Sequence, residues 1–155
     1  MIALRTVFVV VSYANRTQAS DSASSFRVRL ERPLERVESL DWVRAVFNRG
    51  SGTSGLPLEI AVSSQALGTR TYFANSASPD VKPIKECWRI FTTNDSTTGT
   101  IALDNPRVMS DVPVDGPKDF ILNDIDISVI EPTNGTLLSS FTDVKIILEV
   151  KVLDK

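Results

Sequence analysis

The 155 residues carry 17 basic and 19 acidic side chains, no histidine and one cysteine. This balance excludes a strongly basic nucleic-acid-coating protein, and the absence of histidine removes Ser-His-Asp and Cys-His nucleophile pairs and histidine-held metals. The lone Cys87 allows neither an intrachain disulfide framework nor a cysteine zinc site. With 42% hydrophobic residues the chain can bury one core, and the length fits a single domain over residues 1–155.

The chain opens on a short apolar strand, Val7 to Val11, preceded by Arg5. This run is shorter than the roughly 7–15 apolar residues of a signal-peptide core. No stretch approaches the roughly 20 apolar residues of a membrane helix. The expectation is a protein made without a cleaved signal peptide and without a membrane span. From Ser25 to Glu31 the period is two: Phe26, Val28 and Leu30 alternate with Arg27, Arg29 and Glu31. Alternation puts the apolar set on one face of a strand. Val37 to Phe47 also reads as a strand. Val43, Ala45 and Phe47 fall on one side and Leu40 and Trp42 on the other, so both faces look covered.

Leu56, Leu58, Ile60 and Val62 share a face in the next strand. Trp88 and Ile90 alternate with Cys87, Arg89 and Phe91. Ile125, Ile127 and Val129 alternate with Asp124, Asp126 and Ser128. The last strand has the clearest pattern: Val144, Ile146, Leu148, Val150 and Val152 against Lys145, Glu149 and Lys151. Thr98-Gly99, Asp115-Gly116 and Asn134-Gly135 are tight-turn dipeptides. No window supports an amphipathic helix longer than about two turns. Many short alternating strands with frequent turns indicate an all-β, antiparallel sandwich, a jelly roll or a barrel. The expected core comprises Phe26, Val28, Leu30, Ile60, Val62, Ile90, Ile127, Ile146, Leu148 and Val150.

Charge is uneven. Residues 1–50 hold eight Arg and five acidic residues, a balance of +3; the remainder carries nine basic and fourteen acidic residues, or −5. Arginines alternating on strand faces account for the basic half.

Residues 50–55 form a literal G-x-G-x-x-G. A dinucleotide site needs a helix opening at the last glycine. Here Leu56-Pro57-Leu58-Glu59-Ile60 reads as a strand, so the segment is a Gly/Ser connection. Asp124 and Asp126 share a strand face at about 6–7 Å by strand geometry. That spacing suits a carboxylate hydrolase pair or a cation, but charged residues on an outer strand give the same pattern. Asp104, Asp111, Asp115 and Asp119 lack the ordered spacing of a calcium loop. Cys87 reads as a buried thiol, and Trp42 and Trp88 as core anchors. No catalytic, cofactor-binding or metal-ligating residue is assigned, no cofactor is expected, and the chain does not read as an enzyme.

Two regions carry a further pattern. Ser12-Tyr13-Ala14-Asn15-Arg16-Thr17 follows the first strand. A serine-rich stretch (Ser20, Ser22, Ser24, Ser25) then leads into Phe26-Arg27-Val28-Arg29-Leu30 and Pro33-Leu34, and the chain closes with Phe141 to Glu149. This resembles the single-jelly-roll penton and minor capsid proteins of icosahedral double-stranded DNA viruses, among them polinton-like viruses, virophages and large algal or giant viruses. In that family an S-x-x-N-R-T/S stretch leads through a Ser/Gly-rich link into F-x-V-x-L. The resemblance covers the opening fifty residues and roughly the last 15, with the middle matched by strand character alone. The chain has no room for the extra domain that longer pentons insert.

The resemblance implies a single jelly roll of about eight strands, with residues 1–24 as N-terminal strand and arm. It implies a pentamer at the fivefold vertex of a virion, beside major capsid protein neighbours and without specific nucleic-acid binding. Five copies would close a ring through head-to-tail contacts. Asn15, Arg16 and Thr17 are the candidate subunit contacts, with Arg16 free to pair bidentately with a neighbour's carboxylate. The alternatives are a minor capsid or cement protein, or a carbohydrate-binding β-sandwich using Trp42, Trp88, Tyr72 and the Asp-rich loops.

Overall fold

Strands form where the sequence alternates. The computed structural model describes residues 3–49, 59–73, 84–92, 99–106, 120–133, 135–138 and 141–154. Its strands are β1 (Leu4–Ser12), β2 (Ser25–Leu34), β3 (Val37–Arg49), β4 (Glu59–Ser63), β5 (Thr71–Tyr72), β6 (Glu86–Cys87), β7 (Arg89–Thr92), β8 (Thr100–Asp104), β9 (Leu122–Ile130) and β10 (Phe141–Leu153). The helical content among the described residues is one 3-10 turn, Tyr13–Asn15. No helix among them is long and apolar enough to cross a membrane.

Two antiparallel four-stranded sheets face each other, in the orders β1-β10-β3-β8 and β2-β9-β4-β7, and β5-β6 forms a separate ribbon. The pairing is nested. The first long strand pairs with the last (β1 with β10), then β2 with β9, β3 with β8 and β4 with β7. Each step from β1 to β4 therefore crosses between sheets. This makes an all-β antiparallel sandwich.

The core lies between the sheets. Val9, Val11, Leu40, Ala45, Phe47, Val144, Ile146, Leu148 and Val150 of the first sheet meet Phe26, Val28, Ile60, Val62, Phe91, Ile125, Ile127 and Val129 of the second. Phe47 stands edge-on to Phe91 at 5.3 Å and tilted against Phe141 at 5.8 Å. Arg89 on β7 donates two hydrogen bonds, of 3.2 and 3.1 Å, to Oδ1 of Asp41 on β3, tying the sheets together.

Three single-strand readings are corrected. In β3 the two apolar sets share one face. Ile147 pairs with Arg44 but Leu148 pairs with Trp42, so Val43 is an extra residue. Such a bulge resets the period of two. Leu40 and Trp42 therefore point the same way as Ala45 and Phe47. Trp88 lies at a bend between β6 and β7, which shifts the inward position from Ile90 to Phe91. Phe91 pairs with Ile60 and is buried, whereas Ile90 is half-buried. Leu30 is half-buried against the core rather than within it. The glycine-rich segment at residues 50–55 lies outside the described residues, as do Asp111, Asp115 and Asp119.

Candidate functional site

The arm after β1 crosses to β2 in the facing sheet. The Ser12 hydroxyl accepts from the Ala14 N–H at 3.3 Å and caps the 3-10 turn. Tyr13 packs edge-on against Phe26 at 5.7 Å, and its hydroxyl donates to the Asp21 carbonyl at 3.1 Å. The Arg16 guanidinium stacks 4.3 Å above the Tyr13 ring and donates to the Tyr13 carbonyl at 3.3 Å. Arg16 Nε is the one buried side-chain polar atom among the described residues without a hydrogen-bond partner. Thr17 fastens the arm to β2: its N–H donates to the Arg27 carbonyl at 2.8 Å and its hydroxyl to the same oxygen at 3.3 Å. Asn15 is exposed at the turn. The three candidate contacts therefore sit together, with Arg16 and Thr17 already engaged within the chain.

The two strand carboxylates have separate structural partners. Asp124 pairs with Arg29 at 2.8 Å on the exposed face. That pairing raises the Arg29 pKa, through the hydrogen bond first and the opposite charge second. Asp126 accepts from the Ser64 hydroxyl at 3.2 Å and from the Gln65 and Ala66 N–H groups at 2.9 and 3.1 Å. It pins the turn after β4 onto β9. Asp104 faces Arg44 at 3.5 Å. No group of three or more Cys, Asp and Glu among the described residues is placed to hold a metal. Burial pushes the Cys87 thiol up to about 11, so it is a poor nucleophile near neutrality.

The aromatics divide. Trp88 is 1% exposed. Trp42 packs edge-on against Phe91 at 4.7 Å. Trp88 is thus sealed in the core, and Trp42 is half-buried against it. Tyr72 is 74% exposed.

Two surface features were not singled out in the sequence. The first is on β1, an edge strand. Its inward side chains Val7, Val9 and Val11 pair with Val150, Leu148 and Ile146. On the outward face Leu4, Phe8 and Val10 are 55%, 61% and 49% exposed. The cross-strand partners of Leu4 and Val10 are Leu153 and Ile147, so the apolar stripe widens onto β10. The unbroken run Val7 to Val11 carried this signal. A strand apolar on both faces expects cover on both. The second feature is a cleft of about 750 Å³ over the outer face of β2, β9 and β4. It is walled by the arm and by the turn after β4.

In comparisons with known proteins the chain matches no protein-family model and no curated protein sequence.

Proposed function

We propose that this chain is a structural capsid subunit, a single jelly roll that assembles as a pentamer at the fivefold vertex of an icosahedral virion, next to the major capsid protein. The observation that carries the reading is the outward stripe of Leu4, Phe8 and Val10 on β1, an edge strand whose outer side is unpaired among the described residues. An exposed, apolar edge strand is a template for association unless charge or proline blunts it. The opposite sheet follows that rule, since its edge strand β2 bears Arg27, Arg29, Glu31, Arg32 and Pro33, all exposed. On β1 the one charged residue is Arg5, which is held by Asp154 at 3.3 Å. The nested strand pairing supports the jelly-roll reading, because a rolled-up hairpin pairs first with last. The likeness of the Ser12–Thr17 and Phe26–Leu30 stretches to penton and minor capsid proteins supplies the viral context.

The arm is the second contact in this reading. Asn15 and Thr17 are exposed there, where a neighbour can reach them. The test is the solution mass by native mass spectrometry across a concentration series. A species near five times 17.0 kDa is expected. A monomer at every concentration would overturn self-assembly in solution. Arg16→Ala is expected to lower the pentamer fraction, and an unchanged fraction would remove the arm from the interface. A minor capsid or cement position uses the same stripe against a different neighbour. Copy number in the particle separates the two.

A further inference from the structure

We propose that the cleft over β2, β9 and β4 is a binding site for a neutral oligosaccharide. The strand register builds its floor. Ser25 on β2 and Ser63 on β4 both stand opposite Ser128 on β9, so three short hydroxyl side chains run in a row across adjacent strands. Short side chains on an otherwise long-chained face leave a depression, which the arm and the turn after β4 deepen into about 750 Å³. Ligand pockets commonly span roughly 300–1,000 Å³, so a short oligosaccharide fits.

The chemistry of the lining selects the ligand. The three hydroxyls find no partner within the chain among the described residues, and each can both donate and accept. The exposed Arg27 guanidinium on one wall and the exposed Glu86 carboxylate on another also have no side-chain partner among the described residues. A ligand that meets such a lining must itself carry many groups that donate and accept, as a sugar does. Charge excludes a polyanion. Among the described lining residues, Asp21, Glu86 and Asp126 stand against Arg27, a balance of −2, which repels phosphate, sulfate and sialic carboxylate. Asp21 and Asp126 are occupied by the Arg27 N–H and by the turn after β4, so they brace the walls. Tyr72 is not itself a lining residue but stands directly opposite the lining residue Glu86 in the β5-β6 ribbon. Its exposed ring offers an apolar platform for one face of a sugar.

This inference does not depend on the capsid reading. The test is binding of the full chain to an array carrying neutral, sialylated and sulfated oligosaccharides, followed by titration of the best neutral oligosaccharide into labelled protein by NMR. Retention of neutral glycans is expected, with shifts at Ser25, Ser63, Ser128 and Tyr72. Ser128→Leu should fill the floor and weaken binding at least tenfold, with an unchanged melting temperature because the replaced hydroxyl has no partner among the described residues. Tyr72→Ala should weaken it several-fold. No retention of any neutral glycan would overturn the proposal. So would retention of anionic glycans alone, or binding that Ser128→Leu leaves unchanged.

Discussion

Replacing Phe8 by lysine separates assembly from folding. Phe8 is 61% exposed. An aromatic side chain buries roughly 200 Å² when fully covered, so on the order of 120 Å² remains for a neighbour to cover. At about 25 cal/mol per Å² that is about 3 kcal/mol at each contact it joins, or on the order of a hundredfold in association. In the proposed pentamer a closed ring repeats the contact at every interface, so the effect compounds. The monomer should tolerate the change. Phe8 stands opposite Glu149 on β10, where a cation is favourable. Lysine is also a residue that natural edge strands use to prevent association. Sedimentation velocity over a concentration series, with thermal melts as control, reads both effects. The expected outcome is a shift of the assembly midpoint by about two decades or more in concentration, with the melting temperature nearly unchanged. If Phe8→Lys assembled at the same concentrations as the parent, the stripe would not be the interface.

Three further predictions concern the fold. Phe47→Ala removes a fully buried ring packed between Phe91 and Phe141 and should cost about 3–5 kcal/mol in urea unfolding; a loss under about 1 kcal/mol would contradict its interior position. Asp126→Ala takes the acceptor from two turn N–H groups and one hydroxyl and should cost about 1–3 kcal/mol. Asp124→Ala breaks an exposed pair and should shift the melting temperature less, and equal losses would refute the distinction between the two carboxylates. Burial raises the Cys87 thiol from 9.0 to about 11. In the window between those values the unfolded chain has released a proton that the folded chain keeps, so stability falls as pH rises through it. Melting temperatures of the parent should therefore decline more steeply over that window than those of Cys87→Ala, and parallel curves would refute the burial of the thiol.

The sequence by itself determined the all-β class and the positions of most long strands. Period-two alternation is a local consequence of side chains pointing to opposite faces. Ser25 to Glu31 and Val144 to Val152 show it without tertiary help, and β2 and β10 cover them. The strand β8 gave a weaker local signal. Its five residues, Thr100–Asp104, place one fully inward side chain, Ile101, in the core. The bulge at Val43 was not legible either, because an extra residue is defined only against the partner strand β10. The same holds for Trp88, where a bend moved the inward position to Phe91.

Which strand pairs with which was a tertiary decision. Alternating strands can pair with neighbours in sequence or with distant ones, and local pattern is the same for both. Here the first strand pairs with the last, across almost the whole chain. That single choice leaves β1 at an edge with Phe8 outward. Register did the rest. The row Ser25-Ser128-Ser63 comes from three strands far apart in sequence, and no spacing along the chain announces it. Cross-strand neighbours are set by which residues face each other once both inward faces are buried, and that is a property of the packed pair of sheets.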